Sequence, residues 1–220
     1  MIEAIIFDMD GVVIDSEDLW AEAYRRQLAK RGLEVPTSAS YRRFVNTHYR
    51  GRNQRHAIMM MQRFYGITDP YHLLYRERVK FLLSIFDEQL KLIPGIRGLL
   101  AKVSRRFPLA LASSSPHPVI AYVLKRYQLK KYFSAVVSGD DFRHSKPSPE
   151  IFLTTARKLH TPPERCLVIE DTLSGVVAAH RARMRCIGLK QRYNSARDLQ
   201  KADRMVQRLT QITIPVIQSL

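Results

Sequence analysis

Five short apolar runs constrain this chain more than any other feature: AIIF (4–7), LALAS (109–113), AVVS (135–138), CLVIE (166–170) and CIGL (186–189). Each is too short for a stable helix and too continuously apolar for a strand with one wet face, so each fits a strand buried on both sides. The later runs are separated by amphipathic helical patterns, and such alternation predicts a parallel sheet with helices on both faces. Between the first run and the rest, Leu19, Trp20, Ala23, Tyr24 and Leu28 recur at helical spacing, as do residues 58–65 and 71–86, until Pro94 and Gly95 punctuate the chain. The expected fold is therefore α/β, a doubly wound Rossmann-like parallel sheet core formed by residues 1–14 and 93–220. An α-helical segment, 15–92, is inserted into it. The last twenty or so residues read as a short strand and a closing helix bent at Pro215.

In a doubly wound sheet, ligands bind beyond the carboxyl ends of the strands, so the residue closing each run is the one to inspect. The first run ends in Asp8, with Asp10 and Gly11 following; the second ends in Ser113, Ser114 and Ser115; the third leads through Gly139, Asp140 and Asp141 to Lys146; the fourth ends in Glu170 and Asp171. Carboxylates gathered at one sheet edge repel each other unless a cation sits among them, and a hard divalent ion such as Mg²⁺ takes oxygen ligands. Asp8 and Asp171 are natural side-chain ligands. With the metal and Lys146 neutralising a bound phosphate, one carboxylate can attack phosphorus while another, two residues on, moves the proton of the leaving oxygen. Asp8 and Asp10 have that spacing.

The string IIFDMDGVVIDSE resembles the first motif of the haloacid dehalogenase (HAD) superfamily, and three more segments match in order: LALASSSP, HSKPSPEIF and VIEDTLSGVVAA. The resemblance covers nearly the whole chain, because the helical insert sits where members with a small α-helical cap domain carry theirs. It implies Asp8 as nucleophile, Asp10 as general acid and base, and Ser113 and Lys146 as phosphoryl-binding groups; Ser114 and Ser115 either give backbone N–H groups to the phosphate at the next helix start or simply begin that helix. It also implies a Mg²⁺ site drawn from Asp8, Asp10, Glu170 and Asp171. Within the superfamily the chain is most similar to the β-phosphoglucomutase-like branch, which holds both phosphohexose mutases and sugar-phosphate phosphatases. Mutases carry His where this chain has Trp20, so the resemblance favours hydrolysis of a small phosphorylated metabolite, a sugar phosphate first. Asp10 argues against the dehalogenases, and the lack of Lys from 31 to 79 argues against phosphonate hydrolysis. One departure is visible: Arg183 and Met184 stand where members commonly have Gly after the fourth-motif helix, which predicts a different helix ending.

Other polar groups are expected to serve structure. Asp15, Ser16 and Glu17 read as a helix cap, and Asp140 and Asp141 as a turn and a cap. His117, His144 and His160 lack metal-ligand spacing. Met59, Met60 and Met61 read as packing, and Cys166 and Cys186 as small buried thiols. With 45% hydrophobic residues the chain can bury a core, and no long apolar run or leader-like start suggests a membrane span, so a soluble, cytoplasmic monomer is expected. The net charge of +16 raises the question of a polyanion. From 36 to 67 there is no acid, while Arg42, Arg43, Arg50, Arg52, Arg55 and Arg63 give +6, interleaved with Tyr41, His48 and Tyr49. Such a segment suits an anionic substrate. Nucleic acid, held there and around Arg181, Arg183 and Arg185, is the less favoured alternative, as is a phosphohexose mutase.

Overall fold

The computed structural model describes residues 1–36 and 51–220; Tyr41, Arg42, Arg43, His48, Tyr49 and Arg50 lie outside them. Six strands form one parallel sheet: β1 (Ala4–Phe7), β4 (Leu109–Ser113), β5 (Ala135–Ser138), β6 (Cys166–Glu170), β7 (Arg185–Leu189) and β8 (Arg204–Val206). Their order is β5-β4-β1-β6-β7-β8, every pair parallel. β1 is central, and the chain winds outward from it to both sides. The strand order therefore reverses at β1, and the crevice over the ends of β1, β4 and β6 is the ligand position such a sheet provides. The α/β, doubly wound, Rossmann-like class expected from the apolar runs is the fold observed.

The pleat sorts the runs into two cores. Ile5, Phe7, Leu109, Leu111, Leu167, Ile169 and Ile187 face one side, against α4 (Ile96–Val103), α5 (His117–Arg126) and α9 (Ile214–Gln218). Ala4, Ile6, Ala110, Ala112, Cys166, Val168 and Cys186 face the other, against α6 (Glu150–Lys158) and α7 (Leu173–Arg181). The second face carries more small residues, and both thiols are free and buried on it, as expected.

Between β2 (Ile14–Asp15) and β3 (Lys91–Leu92), which pair antiparallel, the chain forms α1 (Glu17–Ala29), α2 (Gln54–Tyr65) and α3 (Tyr71–Gln89). Leu28, Ile58, Met61, Ile67 and Leu74 make a separate small core there. Of the methionine run Met61 is buried and Met59 exposed. The lower turns of α3 (Val79, Leu82, Ile85, Phe86) join the larger face of the main core. Pro215 lies in the first turn of α9 rather than at a bend, where its fixed φ suits helix entry and its missing N–H costs nothing.

The three crossover helices α5, α6 and α7 end alike. Gln128, His160 and Arg183 adopt left-handed φ values of 55, 51 and 61°. The next residue in each case donates its N–H five residues back, Leu129 to Leu124, Thr161 to Ala156 and Met184 to Ala179. This is the ending that glycine normally makes. The expected different closure at Arg183 is thus corrected: the helix closes in the glycine way and Arg183 bears the steric cost. Arg183→Gly should raise stability by about 0.5–1 kcal/mol, relief of the left-handed strain exceeding the entropy glycine returns to the unfolded chain. Denaturant midpoints measure this, and a lower midpoint would contradict it.

Candidate active site

The strand ends place the residues singled out in the sequence around one crevice. Asp8 follows β1 directly and its N–H donates to Ile169 O at 3.0 Å, tying the start of the loop to β6. Gly11 then turns the chain with φ 82°, and a Cβ there would lie 2.3 Å from Asp171 Oδ2, so only glycine lets the two acidic loops approach. Lys146 Nζ reaches back to both carboxylates, donating to Asp8 Oδ1 at 2.6 Å and to Glu170 Oε1 at 2.7 Å. All three groups are buried.

Glu170 is committed on both oxygens. Oε1 meets Lys146, and Oε2 accepts from the N–H groups of Asp171 and Thr172 and from Thr172 Oγ1, at 2.8, 2.8 and 2.9 Å. This side chain therefore shapes the loop that presents Asp171. On the far side of that loop, Asn194 Nδ2 donates to Asp171 O at 2.7 Å and to Leu189 O at 3.0 Å. Oxygens of Asp8, Glu170 and Asp171 lie within 4.8 Å of one another, one from each residue. A cluster of buried carboxylate oxygens with one ammonium group is a hard, electron-rich donor set that fits Mg²⁺. Burial, above all, drives the Asp8 carboxyl up to about 8; Glu170 and Asp10 add to the rise and Lys146 opposes it. A divalent cation would relieve that same strain. Burial presses against the charge of Lys146, yet the Asp8 and Glu170 carboxylates outweigh it and hold the amine protonated.

Asp10 lies outside the three-carboxylate cluster, and its carboxylate is turned to hydroxyl and indole donors. Oδ1 accepts from Ser16 Oγ at 2.6 Å and Trp20 Nε1 at 2.8 Å; Oδ2 accepts from Ser115 Oγ at 2.6 Å and Ser113 Oγ at 3.3 Å. Ser16 thus departs from its expected role. It precedes α1 but makes no side-chain cap bond, and its buried hydroxyl serves Asp10 instead. Asp15, expected in the same cap, is ion-paired with Arg192. Ser113 also accepts the Ser115 N–H at 3.0 Å, while Ser114 turns its hydroxyl to Gly51 O at 2.8 Å. Ser16 and Ser115 are the residues that spacing alone did not assign to Asp10. Only Trp20 carried a signal, through its place in the resemblance. Asp140 forms the expected turn and accepts from Tyr75 Oη and the His117 N–H. Asp8, Asp10, Ser114, Ser115 and Asp171 line one cavity of about 200 Å³ roofed by Trp20, Tyr24, Arg52 and Ala57.

Residues 5–189 match the family of haloacid dehalogenase-like hydrolases, and the chain belongs to that family. It is 38% identical over 181 residues to a phosphorylated carbohydrates phosphatase of Thermotoga maritima, covering 82% of this chain and 81% of the relative. It is 32% identical over 190 residues to hexitol phosphatase B of Escherichia coli K12, covering 84% and 82%. Among solved structures, a β-phosphoglucomutase of Clostridium difficile superposes with a TM-score of 0.85 at 27% identity, over 100% of this chain and 96% of that one. The chain is a phosphomonoester hydrolase of the β-phosphoglucomutase-like branch. The first of these relatives is named for phosphorylated carbohydrates and the second for hexitols. Among the described residues no helix is long and apolar enough to cross a membrane.

Two expectations follow from the buried charges. In metal-free protein burial raises the Asp8 carboxyl from the 3.8 of the unfolded chain toward about 8, so across that window the native site, with its proton shared among Asp8, Glu170 and Lys146, binds more protons than the unfolded chain. Stability therefore falls as pH rises through it. Asp8→Asn should flatten the slope: wild-type unfolding midpoints at about pH 6 and about pH 8 differ more than those of the variant, and equal differences would contradict the assignment. Separately, a Cβ on Gly175 would lie 1.8 Å from Glu170 Oε1. Gly175→Ala should cost about 1–3 kcal/mol in denaturant unfolding and lower turnover with it; a silent substitution would show that Glu170 is not held as described.

Proposed function

We propose that the protein is a Mg²⁺-dependent phosphatase acting on a small phosphorylated carbohydrate through an aspartyl-phosphate on Asp8. The observation that carries this reading is the pairing of Asp8 with the Lys146 ammonium at 2.6 Å, on a cavity that also holds Asp10. Asp8 Oδ attacks phosphorus and the ester P–O bond breaks, while Asp10 gives its proton to the leaving alkoxide. Asp10 then takes a proton from water as that water attacks phosphorus, which releases phosphate and restores Asp8. Ser113, Ser114 and Lys146 hold the phosphoryl oxygens. Asp8 and Asp171 would hold Mg²⁺, with Glu170 fixing the loop and Asp10 turned toward its own donors; the bound ion supplies charge neutralisation at the phosphoryl oxygens.

Residues 15–92 act as a cap over residues 1–14 and 93–220, flexing near Gly11–Asp15 and Leu92–Gly95 and excluding bulk water during attack. Trp20 supports hydrolysis over a mutase reaction. An indole N–H donates only, so its bond to Asp10 holds the carboxylate in place with no titratable partner that a second sugar could gate. The two phosphatase relatives support a carbohydrate substrate.

In a screen of sugar and polyol phosphates with Mg²⁺, the expected outcome is release of inorganic phosphate that stops with chelator and returns when Mg²⁺ is restored. Asp8→Asn should lower kcat by at least about 10⁴-fold while the protein stays folded. Normal turnover in that variant would refute the nucleophile assignment, and isomerisation of a phosphohexose without phosphate release would favour the mutase.

A further inference from the structure

The turn that opens α2 reaches from the helical segment to two connections of the core, the one after β4 and the one from β5 to α6. Gly51 O accepts from Ser114 Oγ at 2.8 Å, in the loop after β4. Arg52 Nη1 donates to Lys146 O at 2.5 Å, in the loop before α6. Asn53 Nδ2 donates to Gly139 O at 3.2 Å and Phe142 O at 3.1 Å, after β5, while its Oδ1 accepts the His56 N–H and caps α2. Asn53 is buried, and a Cβ on Gly51 would lie 2.4 Å from Ser174 Oγ, so the turn also sits tightly against the first turn of α7. Three consecutive residues thus clasp the loop that carries Ser114 and the long connection that carries Gly139, Phe142 and Lys146.

Within that clasp Arg52 alone carries charge, and it lines the same cavity as Asp8, Ser114, Ser115 and Asp171. Its Nε is buried and has no hydrogen-bond partner among the described residues. A guanidinium offers five donors in a fixed fork, and a buried donor of a charged group left without an acceptor is costly. The other cavity cations are engaged elsewhere: Arg78 donates to Gln27 and Gln54 within the helical segment, and Arg25 pairs with Glu22. Arg52 lines the cavity while its Nη1 meets the Lys146 carbonyl, so the part of its fork that faces the cavity can meet an oxygen brought there, and an anionic one suits a planar fork best.

We propose that Arg52 is a catalytic residue that contacts the non-bridging oxygens of the transferring phosphoryl group and is delivered there when residues 51–53 clasp the core. This rests on the phosphatase reading above. In-line transfer spreads charge over three equatorial oxygens, and a cation that arrives with the closed cap ties that stabilisation to the exclusion of water.

The test uses the full chain with Mg²⁺ and compares wild type, Arg52→Ala and Arg52→Lys. Two esters with unlike leaving groups, p-nitrophenyl phosphate and glucose 6-phosphate, report hydrolysis, and titration with inorganic phosphate reports binding. Arg52→Ala should lower kcat/KM by about 10²-fold on both esters alike and weaken inorganic phosphate by about tenfold, with Arg52→Lys recovering part of each loss and the unfolding midpoints unchanged. A loss confined to glucose 6-phosphate would mean that Arg52 reads the leaving group and would overturn the proposal, as would unchanged phosphate affinity. Should wild type hydrolyse no ester of any kind, the phosphatase reading fails by itself, and the phosphate titration still decides the role of Arg52.

Discussion

The Lys146 ammonium, 2.6 Å from Asp8 and 2.7 Å from Glu170, is the contact on which the rest of the site depends. It joins the loop before α6 to the ends of β1 and β6, so three stretches far apart in sequence share one buried charge centre. Remove that cation and two carboxylates face each other out of water; breaking a buried pair of this kind costs about 3–5 kcal/mol. The arrangement is therefore favourable only while the sheet holds its register, which pairs Phe7 of β1 with Leu111 of β4 and Ile169 of β6.

From that centre the organisation extends in two directions. Glu170 turns its second oxygen to the N–H groups of Asp171 and Thr172, fixing the acidic loop at the start of α7. On the other side the chain passes Asp10 and turns at Gly11 close over Asp171, and the Asp10 carboxylate is held by donors from three places: Ser16, Trp20 at the base of the helical segment, and Ser113 and Ser115 at the end of β4. Asp8 and Asp10 are two residues apart and yet sit in opposite environments, one facing a buried ammonium and the other a ring of neutral donors. In the proposed reaction that contrast separates a carboxylate that attacks from one that moves protons.

Much of this was legible in the sequence because parallel strands buried on both faces announce themselves as unbroken apolar runs. AIIF, LALAS, AVVS and CLVIE are the observed β1, β4, β5 and β6 residue for residue, and the polar groups closing them are those that converge. Less legible were contacts that depend on where one helix lies against another. Ser16 reads as a helix cap on local grounds, and nothing within a few residues of it reveals that β1 places Asp10 within reach. Asn53 was not singled out in the sequence; it caps α2, and its contacts with Gly139 and Phe142 exist only because α2 stands over the loop after β5. The ending at Arg183 was misjudged because glycine is the usual left-handed residue and its absence suggested another geometry. The backbone hydrogen bonds of α7 keep the motif regardless of the side chain.

The account turns on Asp8 as the atom that accepts the phosphoryl group. Mixing the Mg²⁺-loaded protein briefly with a turned-over sugar phosphate, reducing with borohydride and sequencing the peptides by mass spectrometry locates any acyl-phosphate directly. The account predicts a reduced side chain at position 8 and at no other carboxylate. Turnover with no modified carboxylate, or with the label on another residue, would contradict it.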